Sequence, residues 1–192
     1  GDYTLPASAG NNDVEGIKNL KNNNILNAPV EVYQQRQYSG NVLKTIAANV
    51  ASYDPSSPLP KESFFLESSS PLTDFTASTV SGSVFIKDPR YTSRLKFTLY
   101  DTRNNIIQQQ KTNDAISSYV WDYFSTYPIA EVKKAAHSDI AYTSFEADGS
   151  GNWVIGSTQR DVNNAITGKY SYQLSYGGIS KSGLSPLKTY VI

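Results

Sequence analysis

The single histidine, His137, is followed directly by Ser138 and Asp139, the three residue types of a hydrolytic triad. Contiguity defeats that chemistry. The base must reach the nucleophile from one ring nitrogen and the orienting carboxylate from the other, and chain neighbours cannot fold onto one another in that way. An exposed linker histidine is expected instead. With one histidine and no cysteine, the usual zinc sets, disulfides and thiol nucleophiles are excluded. Asp148-Gly149-Ser150-Gly151-Asn152 spaces oxygen ligands at alternate positions, as the start of a calcium loop does. As an EF-hand it fails, because Trp153 stands where glycine is needed and Gln159 where a bidentate glutamate is needed. A hairpin turn is expected there.

Glycoside hydrolysis needs two facing carboxylates in a cleft with separated pKa values. Glu62, Glu67, Asp74, Glu131, Glu146 and Asp148 supply many pairings and no distinguishing motif, so no enzymatic activity is expected. Trp121, Trp153, Tyr172 and the other tyrosines have faces that stack on pyranose rings, and tyrosine hydroxyls bond sugar hydroxyls. Cross-strand packing in a sheet is the competing use of the same aromatics. Gly177-Gly178 is not a phosphate loop, since no Lys-Ser/Thr follows it.

The elements that must position these groups are mostly strands. Asn12 or Asp13 can cap a short helix with Val14, Ile17 and Leu20 on one stripe, ended by Asn22-Asn23-Asn24. After Ala28-Pro29 the period becomes two, Ser39-Gly40-Asn41 reads as a hairpin turn, and Val42 to Tyr53 as a long returning strand. Three prolines make positions 54–60 a loop. Lys61 to Glu67 reads as a strand, Pro71 to Phe75 as a corner before a Ser/Thr-rich stretch to Ser83, and Val84-Phe85-Ile86 as a short strand. A meander follows: Leu95, Phe97 and Leu99 alternate with Arg94, Lys96 and Thr98, Asp101 to Asn105 turns, Ile106 to Lys111 returns, and Asn113-Asp114 reverses the chain into Ile116 to Tyr123. Tyr119, Trp121 and Tyr123 share a face of that third strand, and Ile129, Ala130 and Val132 close the meander. Beyond a polar connector ending at His137, strands are expected at Ala141 to Glu146, Trp153 to Ile155, Gly168 to Leu174 and Leu187 to Ile192, with a turn at Ser180 to Gly183.

The 17 basic and 17 acidic residues cancel, so neither nucleic acid nor an anionic membrane is an expected partner. Apolar runs fall far short of the roughly 20 residues that span a bilayer, and no membrane insertion is expected. Charged residues make up only 18% of the chain. A surface rich in Asn, Ser, Thr, Gln and Tyr suits an exported β-protein. The start at Gly1, with no methionine and no signal-peptide pattern, reads as an internal segment.

Tyr100-Asp101 followed by Asn104-Asn105-Ile106, continuing into Tyr119-Val120-Trp121 and Tyr127-Pro128-Ile129-Ala130-Glu131-Val132, resembles one repeat of the YD-repeat, or RHS-type, proteins of Bacteroidetes. Leu59-Pro60 through Glu67 and Pro71 to Phe75 are similar to the segment preceding such repeats. Ala141 to Trp153 with Gly168 to Leu174 resembles the opening of a galactose-binding-like jelly roll. Asn104 stands where the family usually places glycine, and only one clear repeat is present. The resemblance implies a mainly β fold: an antiparallel hairpin and meander sheet with a short N-terminal helix over residues 1–136, and a partial, truncated jelly-roll-like β-sandwich over 137–192. It also implies that Tyr100, Asp101, Asn104 and Asn105 form a structural corner, and allows a structural calcium near Glu146 and Asp148 as the only cofactor.

The expected function is a non-catalytic structural segment of a large secreted or cell-surface protein. It would form part of a hairpin wall whose partner is the remainder of its own polypeptide. The alternative is a carbohydrate-binding adhesion module using Trp121, Trp153 or Tyr172 on glycans, and the third reading is a hydrolase or glycoside hydrolase accessory module. An unpaired edge strand at Leu187 to Ile192 would favour a homodimer.

Overall fold

In a computed structural model that describes residues 3–7 and 10–191, the protein is mainly β, with antiparallel pairings and one α-helix among the described residues. The chain forms two compact units whose boundary lies between Phe97 and Thr98. The boundary read from sequence, at 136/137, falls inside the second of them.

In the first unit, α1 (Asn12–Asn22) is capped by Asn11, whose side chain accepts the Val14 N–H at 3.1 Å. The cap lies one position before the expected Asn12 or Asp13, because a cap needs extended backbone and Asn11 has φ −150°. Asp13 and Glu15 in the first turn and Lys21 in the last oppose the helix dipole. Val14 and Ile17 pack with Ala48 and Val50 of β2 (Val42–Tyr53), Phe85 of β5 (Val84–Ile86) and Tyr91, forming the buried core of this unit.

Strand β1 (Glu31–Tyr38) pairs with β2 across Ser39–Asn41, where Gly40 and Asn41 take positive φ. Strand β2 pairs with β3 (Pro60–Leu66), and β3 with β6 (Tyr91–Tyr100), all antiparallel. Gln34 faces Ala47 and Gln35 faces Thr45, so Ile46 is an extra residue in a bulge. Along β6, Leu95 and Phe97 are half-buried while Arg94, Lys96 and Thr98 are exposed, the alternation seen in the sequence, but Leu99, expected on the apolar face, is 45% exposed. The Ser/Thr-rich stretch hides a strand, β4 (Thr79–Ser81), which pairs with β5 around Gly82.

Several polar groups drawn into this unit are matched. Glu31 accepts the Ser78 N–H and hydroxyl and the Tyr91 hydroxyl, each at 2.8 Å. Burial, with Glu31 adding its charge, pushes the Tyr3 hydroxyl up to about 12. Arg90 forks between Asp88 and Asp74, and its bond holds the buried Asp88 carboxyl well below the usual carboxylate range.

In the second unit, β7 (Ile106–Lys111), β8 (Ile116–Asp122) and β9 (Tyr127–Lys133) form consecutive antiparallel pairs. The buried face of β8 carries Ser118, Val120 and Asp122, while Tyr119 and Trp121 are half-buried on the other. Tyr123 lies beyond the strand, in the β8–β9 turn.

The first meander corner is closed by side chains. Asp101 accepts the Arg103 N–H at 2.8 Å and the Asn105 N–H at 2.9 Å, and its second oxygen accepts the Asn105 side-chain amide at 3.1 Å. Asn104 has φ 67°, the conformation for which glycine is the usual choice and asparagine the next. Asn105 also donates to the Ser125 carbonyl at 2.7 Å, tying this corner to the β8–β9 turn. Asp101→Ala is expected to destabilise the protein by about 1–2 kcal/mol, measured by urea unfolding, whereas Arg103→Ala, whose N–H is retained, should be near neutral.

The C-terminal stretch departs from the expected strands. Ala141 to Glu146 is irregular, because Phe145 takes φ 60° and cannot continue a ladder. Gly168 to Leu174 makes one isolated bridge, Ser171 to Asp161, before a 3-10 turn at Leu174–Tyr176. Only β10 (Val154–Ile155) and β11 (Ile179–Ser180) pair here. Residues 187–191 form no strand: the Lys188 N–H closes a turn on the Ser185 carbonyl, and Tyr190 turns its hydroxyl back to accept the Ser185 N–H. Ile192 and Gly1 lie outside the described residues. The edge strand expected to support a homodimer is therefore absent over 187–191.

Candidate functional site

The second unit contains a cavity of about 530 Å³ lined by aromatic and polar side chains. Its aromatic wall is built on Phe145, whose ring stacks on Tyr172 with centroids 5.2 Å apart and an interplanar angle of 21°. Arg160 lies over the Phe145 ring at 5.3 Å and donates to the carbonyls of Phe145, Ala147 and Gly149, fixing the loop that carries the ring. Tyr172 meets Tyr176 edge-on and donates its hydroxyl to the Gly177 carbonyl at 3.0 Å.

Tyr170 adds a further, partly exposed ring to the lining. Its backbone is held by Glu146, which accepts the Lys169 N–H at 3.0 Å and the Tyr170 N–H at 3.0 Å beside Gly168, where φ is 76°. Those two amides hold the Glu146 carboxyl below its ordinary range. Glu146 is thus a positioning residue for an aromatic ring.

The polar wall centres on Asp161. It is 6% exposed, and its backbone exchanges two hydrogen bonds with Ser171. One carboxylate oxygen accepts the Asn164 side-chain amide at 2.7 Å, the other the Asn163 N–H at 2.8 Å. These bonds, the Asn164 side chain foremost, hold the Asp161 carboxyl below its usual range, so it is an ionised acceptor at neutral pH. Asn164, Gln173, Ser144, Thr167 and Ser171 add to the polar lining.

Of the aromatics singled out in the sequence, Tyr172 lines this cavity. Trp121 is half-buried in β8 and donates its indole N–H to the Ile106 carbonyl at 2.9 Å, a cross-strand role. Trp153 closes a backbone turn on Ser150 and lies outside the lining. Asp148 does not join Glu146: it accepts the Phe124 N–H at 3.1 Å, while Glu146 serves residues 169 and 170. Among the described residues no group of three or more His, Asp and Glu side chains is arranged to hold a metal ion.

Phe145, Tyr170, Asp161 and Asn164 were not singled out from sequence. The available signal was Asp161-Val162-Asn163-Asn164, a run in which an aspartate can bond its own following amides.

The His137-Ser138-Asp139 run forms a short 3-10 turn with no triad geometry. Asp139 pairs with Lys188 at 2.6 Å. His137 is not an exposed linker residue: its Nε2 lies 3.2 Å from the Asn152 side-chain amide, and its Nδ1 is buried with no hydrogen-bond partner. Burial pushes the imidazole below its ordinary value. A half-buried histidine held neutral in this way stabilises the fold fully above the unfolded value of about 6.5, and that stability is lost as pH falls from there toward the lower folded-state value. Urea midpoints are expected to drop between pH 7 and pH 5 in the native protein and to respond less in His137→Asn. An equal pH response in both would sink this assignment.

Among the described residues no helix is long and apolar enough to cross a membrane. Compared with protein-family models, curated proteins and solved structures, the chain matches none of them.

Proposed function

We propose that this chain is a non-catalytic structural segment of a large exported or cell-surface protein of the YD-repeat kind, whose sheet forms part of a wall against the remainder of its own polypeptide. The observation that carries this is the two-faced sheet of the first unit. One face is covered by α1 and Phe85, while Val32 and Phe65, on the other face, remain nearly half-exposed. In the proposed wall the adjoining polypeptide would cover these two side chains. Corners fixed by side chains, as at Asp101, suit a wall that keeps its shape unaided. Three of the six carboxylates weighed for hydrolysis are engaged in the first unit: Glu62 takes the Ser93 hydroxyl, Glu67 pairs with Arg94 and Asp74 with Arg90.

Two measurements test this reading. Glycoside, ester and peptide substrates should give no saturable turnover, and any saturable turnover would overturn it. Carbene labelling should mark Val32 and Phe65 in this chain and lose that mark in a longer polypeptide carrying its natural flanks; equal labelling in both would remove the wall.

A second reading, carbohydrate binding by the second unit, is favoured by the aromatic and polar cavity. It is compatible with the first because the two roles use different units.

A further inference from the structure

We infer that the cavity lined by Tyr170, Tyr172, Asp161, Asn164 and Gln173 binds a neutral, hydroxyl-rich saccharide through stacking on Tyr170 and hydrogen bonds to Asp161 and Asn164. This rests on the carbohydrate reading of the second unit and deepens it by assigning the site and the class of sugar.

Sugars combine an apolar C–H face with a rim of hydroxyls, and a site for them needs an aromatic plane beside fixed polar groups. Both are present. Phe145 stacks on Tyr172 and is also capped by Arg160, so it braces the wall. Tyr170 is 37% exposed and is held by Glu146 through two backbone amides, which makes it the ring offered to a ligand. Ile166, fully exposed on the rim, extends the apolar side.

The polar side sets the ligand's charge. A carboxylate has about four acceptor positions; the Asn163 N–H takes one on one oxygen, the Asn164 side chain one on the other, and the Asn164 backbone N–H also bonds the carboxylate, leaving about one position for a ligand hydroxyl. The Asn164 side-chain oxygen is a further acceptor. Among the described residues no lysine or arginine lines the cavity, and Asp161 is the one ionised group in its lining. A sialylated or sulfated sugar would meet a like charge at Asp161, and the nearest cation, Arg160, is committed to the Phe145 ring and to backbone carbonyls, whereas a neutral sugar donates a hydroxyl to Asp161. The volume of about 530 Å³ lies within the range of small-ligand sites.

The test applies the full chain to an array of neutral, sialylated and sulfated oligosaccharides, followed by titration calorimetry on the neutral glycans retained. Binding to neutral glycans is expected. Tyr170→Ala should weaken it about tenfold and Tyr170→Phe much less, since the ring is kept. Asp161→Asn, which keeps the shape and removes the charge, should also weaken it, while Tyr127→Ala, an exposed aromatic outside the cavity, should leave it unchanged. Circular dichroism establishes that each variant is folded. Neutral-glycan binding that survives both Tyr170→Ala and Asp161→Asn would overturn this site and leave the carbohydrate reading standing. Retention of acidic glycans alone would overturn the neutral class. Binding to nothing on the array would overturn both the site and the reading beneath it.

Discussion

Gly16→Ala is expected to destabilise the first unit by about 2–4 kcal/mol, although helix propensity alone predicts a gain of about 1 kcal/mol for the same change. Gly16 sits in the middle of α1, and a Cβ built there would lie 2.3 Å from the Tyr53 carbonyl oxygen and 2.9 Å from its carbon. Those are backbone atoms at the end of β2 and cannot rotate aside. The helix would have to lift, opening the contacts of Val14 and Ile17 with Ala48 and Val50. Overpacking of this kind outweighs the entropic benefit of losing a glycine. Gly82→Ala is the matched control: its φ is 59° but nothing lies within 4 Å of the added carbon, so only the left-handed penalty of about 1 kcal/mol remains. Urea unfolding followed by far-ultraviolet circular dichroism, with amide exchange across 12–22, measures both. A Gly16→Ala protein as stable as the native one would show that α1 does not approach β2 this closely.

Asp122→Ala is expected to cost about 3–4 kcal/mol. Asp122 is 4% exposed, and one of its oxygens accepts the Tyr123 N–H at 2.7 Å and the Gly149 N–H at 2.8 Å. Removing it leaves two donors in a partly buried place without partners. The turn it supports is costly by itself: Tyr123, Phe124 and Ser125 have φ of 53°, 57° and 60°, a left-handed run in which each non-glycine residue costs about 1–2 kcal/mol. The run persists because its surroundings over-determine it. Asp148 takes the Phe124 N–H, Asn105 donates to the Ser125 carbonyl, and the Thr126 N–H reaches back to the Asp122 carbonyl. Asp122→Asn keeps an acceptor at the same position and should cost about half as much. Trp121, the neighbouring residue, reports the transition by fluorescence during urea unfolding. Equal stability of the alanine and asparagine variants would refute the role given to the carboxylate.

The regular elements were legible where one local pattern governed. Alternation along β6 as far as Phe97, the Ser39-Gly40-Asn41 turn and the stripe on α1 each depend on residues near in sequence, and their structures follow them. The second unit was less legible past His137. Tyr142, Thr143, Ser144 and Phe145 have the composition of a strand, yet Phe145 turns left-handed so that its ring can stack on Tyr172, distant in sequence. At Leu187 to Val191 the same alternation yields to a turn fixed by Ser185 and Tyr190 and to the ion pair of Lys188 with Asp139. On β8, Ser118 and Asp122 occupy the buried face because backbone groups brought in from Ala135 and Gly149 meet their side chains there. A one-dimensional pattern of apolar residues assigns such polar positions to solvent.

By itself, the sequence determined a chain of strands and tight corners, with one short helix and without thiol chemistry or a contiguous triad, because period and turn residues act through neighbouring dihedral angles. Tertiary structure alone decided that Gly16 must be a glycine, that the His137 Nδ1 is buried, and that Tyr170 and Asp161 line one cavity. Those outcomes depend on distances between residues far apart along the chain, and no local propensity encodes them.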